Sequence, residues 1–105
     1  MQALETLCQS FDPKKARSES AIAVFDVSGA GTHYVRVHKG TCTLSKGKPP
    51  ADALVDFTVH VSAADLERML KKELGFEQAY LAKRVRISGN ILLANSMIEW
   101  FKVLQ

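Results

Sequence analysis

VRISGNILLANSMIEWFKVL, residues 85–104, is the stretch on which the fold turns. It opens with a strand-like alternation in Val85 and Ile87, breaks at Gly89-Asn90, and continues in a helical pattern with Asn90 at the capping position. From Ile91 to Leu104 ten of fourteen residues are apolar, leaving only Asn95, Ser96, Glu99 and Lys102 as polar positions. At about 100° per residue, Leu93, Ala94, Met97, Ile98, Trp100, Phe101 and Leu104 fill about half the circumference, and Leu92 and Val103 interrupt the polar side. A helix loaded in this way must bury its surface against something. Adjacent Trp100 and Phe101 are not expected to face one core together, so one of them should serve a cavity mouth, a membrane or a second subunit. Part of the surface opposite this helix is expected to be a lipid-like ligand.

Upstream, FEQAYLAKR offers Phe76, Ala79 and Tyr80 on one side of a short helix. Before it, Leu66, Met69, Leu70 and Leu74 form one helical face against Glu67, Arg68, Lys71 and Lys72. Ser62 with Asp65 has the spacing of an N-terminal cap, and Gly75 is the expected left-handed residue at the helix end. Glu73 is expected at that same end, paired with Lys83 or Arg84. ALVDFTVHV reads as a strand with Val55, Phe57, Val59 and Val61 alternating against Asp56, Thr58 and His60.

Further back, AIAVFDVSG, THYVRVHKG and TCTLSKG are three short strands separated by glycine turns. Each has one apolar face, which predicts an antiparallel meander. KGKPPAD, residues 46–52, is a turn-rich connection. Leu4 and Leu7 suggest a short helix over Met1 to Ser10, and Pro13 suits the first turn of another helical piece through Ala16. The order helix, four strands, two helices, strand, helix predicts an α+β two-layer domain over residues 1–105, with a five-stranded sheet and all helices on one face. The two-helix connection is expected to be a parallel crossover onto the fifth strand, which makes the sheet mixed.

No catalytic set assembles. Acidic residues are scattered, there is no nucleophile elbow or phosphate loop, and Ser62 is explained as a helix cap. His33 is expected on the sheet face opposite His38, so the histidines do not predict a metal site, and no cofactor is expected. Cys8 and Cys42 fit no metal or redox spacing and read as reduced structural thiols, a non-catalytic disulfide being the alternative. The net charge of +3 is too mild to specify nucleic acid, and the few aromatics do not interleave with the basic residues. An anionic membrane surface stays open as a partner for the basic runs RMLKK and AKRVR. No run reaches the ~18 apolar residues of a membrane span. MQALETLCQSFDPKKA lacks a signal-type pattern, so a cytoplasmic protein is expected.

From Phe57 onward the run FTVHVSAADLERMLKKELGFEQAYLAKRVRISGNILLANSMIEWF resembles the sterol carrier protein type 2 domain. The matching positions are Ser62 to Leu66, Leu74-Gly75, Gln78-Ala79-Tyr80, Val85-Arg86-Ile87, Gly89-Asn90 and Leu93-Ala94. Upstream, FDPKKA and the strand pair AVFDVSG and YVRVHKG resemble members of the same family. The resemblance implies a five-stranded sheet covered by helices around an apolar tunnel for sterols, fatty acids, acyl-CoA esters or phospholipids, with no catalysis. A glycine that is usual before the fifth strand is missing from Ala82-Lys83-Arg84, so the turn there is expected to differ. No Ser/Ala-Lys-Leu signal precedes the end at Gln105, and the short ends are expected to leave the tunnel partly open and to favour a homodimer or membrane contact through the terminal helix.

The ligand is expected between Phe25, Phe57 and Ile87 of the sheet and Leu66, Leu70, Phe76, Tyr80, Ala94, Met97, Ile98 and Phe101 of the helices. Lys83, Arg84 or Arg86 would receive an anionic head group. The expected function is to bind and carry or present fatty acyl chains, acyl-CoA, or sterol- or isoprenoid-like lipids. The alternatives are an accessory subunit of lipid or isoprenoid-quinone biosynthesis, and a ligand-free homodimerisation domain.

Overall fold

The computed structural model describes residues 1–104. Alternation of apolar and polar residues builds β1 (Ala21–Ser28), β2 (Gly31–His38) and β3 (Thr41–Lys46), followed by β4 (Phe57–Ser62) and β5 (Val85–Gly89). They form one mixed sheet in the order β3-β2-β1-β4-β5. Helices α1 (Gln2–Gln9), α2 (Pro13–Ala16), α3 (Ala63–Leu70), α4 (Phe76–Leu81) and α5 (Ile91–Ile98) complete the two layers. The inward sheet residues Ala23, Phe25, Val27, Val35, Val37, Phe57, Val59 and Val61 pack against the buried Leu4, Leu7, Leu66, Met69, Ala94 and Met97 in a single core.

The sheet is mixed as expected, but the parallel pair is β1 with β4, while β4 and β5 run antiparallel. Val61 pairs with Val85, so the β4–β5 connection leaves and returns at the same end of the sheet. One helix would carry the chain to the far end; two helices in series bring it back. The crossover is instead the segment 47–56, whose Pro49, Pro50, Ala53 and Leu54 lie over Ile22, Tyr34, Arg36 and Thr43 on the face away from the helices. Val55 is exposed and lies outside β4.

Asp56 fixes where that crossover ends. Its backbone N–H donates to Ile22 O at 2.9 Å, and its carboxylate accepts from Ile22 N at 2.8 Å. Its carbonyl accepts from Asn90 N at 2.8 Å, which ties the start of β4 to the end of β5. Gly89 has φ +105, and a Cβ there would stand 2.6 Å from Asp56 O, so the crossing admits no side chain.

Capping is local and largely as read. Ser62 Oγ accepts from Asp65 N at 3.1 Å, Asn90 Oδ1 from Leu93 N at 3.1 Å, and Asp12 Oδ1 from Lys14 N at 3.0 Å ahead of Pro13. The end of α3 differs. The helix stops at Leu70 and Lys72, with φ 63, takes the left-handed position expected of Gly75, because Glu73 N donates back to Arg68 O at 2.9 Å. Gly75 is thereby free to open α4. Arg84 pairs with Asp65 at 3.0 Å, so Glu73 is not its partner.

The turn before β5 keeps the same helix-ending geometry despite its missing glycine. Lys83 itself adopts φ 62, and Arg84 N donates to Ala79 O at 2.8 Å. A left-handed L-residue costs about 1 kcal/mol relative to glycine. Lys83→Gly is therefore expected to raise the guanidinium unfolding midpoint by the equivalent of about 0.5–1 kcal/mol, part of the gain being offset by the freer unfolded chain.

A candidate apolar ligand cavity

The expected 14-residue final helix breaks after Ile98. The chain turns at Glu99-Trp100, and Phe101 makes an antiparallel bridge to Phe11, with Asp12 N donating to Trp100 O at 2.7 Å and Lys102 N to Ser10 O at 3.0 Å. A single 3-10 turn, Lys102–Leu104, follows. This break corrects the expectation for the two aromatics. Trp100 and Phe101 are 4% and 2% exposed, so both rings lie in the interior. Adjacent residues of a continuous helix diverge by about 100°, and leaving the helix removes that constraint. The Phe101 ring tilts against Phe11 with centroids 5.7 Å apart. The apolar surplus surfaces instead at Leu92, which is 80% exposed, and at Ile91.

Between the sheet and the helices lies a cavity of about 50 Å³. Phe25 of β1, Phe57, Val59 and Val61 of β4, and Val85 and Ile87 of β5 form its floor. Leu7 of α1, Leu66 and Met69 of α3, Phe76 of α4, Ala94, Met97 and Ile98 of α5, and Phe101 and Leu104 form its walls. No polar side chain faces it among the described residues. Met69, Phe76 and Leu104 also line an adjoining recess of about 190 Å³, reaching Lys72, Gly75 and Val103 at the surface. These three shared side chains stand between the cavity and the recess. Pockets that hold drug-sized ligands run from about 300 Å³ upward, so the walls here are drawn together and must part to admit a chain.

The structure brings Phe25, Phe57, Leu66, Phe76, Ile87, Ala94, Met97, Ile98 and Phe101 together around this space. Leu70 packs on the core without lining the cavity, and Tyr80 stays outside at 40% exposed, stacked on Phe76 with centroids 6.2 Å apart. Sequence reasoning missed Leu7, Val59, Val61, Met69, Val85 and Leu104. Inward alternation along β4 and β5 was the available signal for three of them; Leu7 and Leu104 depended on how the chain ends meet. Lys83, Arg84 and Arg86, any one of which was expected to receive a head group, are not among the residues that line the cavity or the recess. Arg84 is held by Asp65, Arg86 alternates with the cavity-lining Val85 and Ile87 and so faces the other side of the sheet, and Lys83 lies in the turn.

The histidines are apart from this space. His33 is buried and its ring shares a 2.8 Å hydrogen bond with Ala30 O, His60 meets Asp26 at 3.3 Å, and His38 is exposed. Among the described residues no three His, Cys, Asp or Glu side chains gather as a metal site. No helix of the described residues is long and apolar enough to cross a membrane.

Residues 2–102 match the model of the SCP-2 sterol transfer family, and the chain belongs to that family. Domains of this kind generally bind lipid. Sterol carrier protein 2 like 2 from Aedes aegypti superposes with a TM-score of 0.68 at 21% identity, over 93% of this chain and 95% of that one. A UbiJ-SCP2 ubiquinone synthesis protein superposes with a TM-score of 0.69 at 12% identity, over 98% and 90% of the two chains. The sec-alkylsulfatase Pisa1 from Pseudomonas sp. gives a TM-score of 0.74 at 19% identity, over 94% of this chain. This chain spans about 15% of that enzyme's length, so the likeness is to one of its parts. No curated protein sequence matches the chain.

Burial separates two aromatic positions that were both expected at the ligand, Phe101 in the cavity wall and Tyr80 outside it. Phe101→Ala is expected to cost about 3–5 kcal/mol in denaturant unfolding, whereas Tyr80→Ala, outside the cavity, should cost less than about 1 kcal/mol.

Proposed function

We propose that this protein takes up the apolar chain of a lipid into the cavity between its sheet and helices, and carries or presents that lipid without transforming it. The observation that carries this reading is a lining made wholly of apolar side chains, three of which, Met69, Phe76 and Leu104, also line a recess at the surface. Fatty acyl chains, acyl-CoA, and sterol- or isoprenoid-like lipids share the chemistry such a lining recognises. Burial of each methylene is worth about 0.8 kcal/mol, so a chain of about a dozen gains about 10 kcal/mol gross. The cost of association and of parting the walls is set against that gain. With no directional contact in the lining, selectivity among chains should be loose.

The fold shared with a ubiquinone synthesis protein supports presentation of a lipid to an enzyme of lipid or quinone biosynthesis as the form this task takes in the cytoplasm. The exposed Leu81, next to the basic pair Lys83 and Arg84 at the end of α4, suits brief contact with an anionic membrane during loading. Self-association through the terminal helix would rest on the exposed Ile91 and Leu92, since Trp100 and Phe101 are interior.

Titration of delipidated protein with a fluorescent fatty acid tests the reading. Saturable micromolar binding with the native circular dichroism retained is expected. Ala94→Leu, which fills the cavity from α5, should weaken binding by about tenfold or more while Leu92→Ala leaves it unchanged. Absence of binding by the folded wild-type protein would refute the pocket.

A further inference from the structure

Helix α1, which borders the cavity through Leu7, meets the edge strand β3 through sulfur. Cys8 near the end of α1 and Cys42 in the edge strand β3 are 34 positions apart, both partly buried, with Sγ atoms 2.7 Å apart. That is closer than free sulfurs ordinarily rest and beyond the ~2.05 Å of a bond. The neighbour of Cys8 is Leu7, which lines the cavity, and the end of α1 receives the Lys102 N–H on Ser10 O at 3.0 Å. Helix α1 is therefore joined at one side to the edge of the sheet and at the other to the segment bearing Phe101 and Leu104.

We propose that Cys8 and Cys42 form a reversible disulfide that clamps α1 to β3 and restrains the cavity from opening. The second half of this inference rests on the lipid-binding reading; the first does not. The oxidant required is a low-molecular-weight disulfide of the glutathione class. Burial raises the Cys42 thiol above its ordinary range, with the adjacent Cys8 acting in the same direction, which disfavours Cys42 as the first nucleophile. The Cys8 thiolate displaces one glutathione as its thiolate and forms a mixed disulfide. Cys42 then gives up its proton, attacks the Cys8 sulfur and expels the second glutathione. The sum is one protein dithiol plus one glutathione disulfide giving one protein disulfide plus two glutathione thiols. The contact between the sulfurs makes the second step intramolecular and fast relative to attack by another protein molecule.

The test uses the full chain in glutathione redox buffers, with free thiols titrated and the product mass-mapped. The expected result is loss of both thiols in a step independent of protein concentration, a Cys8–Cys42 cross-linked peptide, and full reversal by excess dithiothreitol. Cys42→Ser should stop at a glutathione adduct on Cys8. Retention of glutathione by the wild-type protein, or cross-linked dimers in place of the internal bond, would overturn the disulfide. Stopped-flow uptake of the fluorescent fatty acid then reads the clamp. The oxidised protein should take up the probe at least threefold more slowly than the reduced protein, and the Cys42→Ser protein without oxidant should match the reduced wild type. Equal rates in both redox states would overturn the clamp. Failure of the reduced protein to bind at all would refute the pocket while leaving the disulfide standing.

Discussion

The two backbone hydrogen bonds of the Phe11–Phe101 bridge are the constraint on which the cavity depends. Donation from Asp12 N to Trp100 O and from Lys102 N to Ser10 O pulls the chain out of helical geometry just after Ile98. The same two bonds turn Trp100 and Phe101 inward together and bring Leu104 to the wall shared by the cavity and the recess. Were the helix to continue, one large ring would be driven toward solvent and the far wall of the cavity would lose Phe101. An apolar stretch too rich for an amphipathic helix thus becomes consistent with a single core.

The sheet supplies a rigid floor for that wall. The parallel β1–β4 pair sits in the middle, and Asp56 ties β1, β4 and β5 at one end through both its backbone groups and its carboxylate. Its position beneath Gly89 leaves no space for a side chain. The floor is therefore fixed, while the opposing surface is a series of short helices and turns with few hydrogen bonds between them. On that surface the methionines at positions 69 and 97 can repack around a variable chain because their side chains are flexible and polarizable.

Much of this was legible in the residues. Alternation set the five strands and their inward faces, and Ser62 and Asn90 marked helix starts that the structure contains. The resemblance carried by residues 57–101 gave the family, and nine of the side chains assigned to a ligand do surround one cavity. What could not be read were features set by distant partners. The helix break at Ile98 is decided by pairing with Phe11, ninety residues away (101 minus 11), which no local propensity encodes. The direction of β5 depends on two helices cancelling each other's travel. Left-handed Lys72 and Lys83 are imposed by the hydrogen bonds that end their helices, against the preference of their own side chains. The proximity of Cys8 and Cys42 likewise follows from α1 packing on an edge strand, not from their spacing.

The central claim is that a lipid chain enters the space between the fixed floor and the movable wall. Methyl-labelled nuclear magnetic resonance of the protein with and without a carbon-13-depleted fatty acid tests it most directly. The account predicts intermolecular nuclear Overhauser contacts from the acyl chain to the Met69 and Met97 methyls and to Leu104, with Val59 and Ile87 following. Contacts confined to the exposed methyls of Leu54, Leu81 and Leu92, with Met69 and Met97 unmoved, would contradict it.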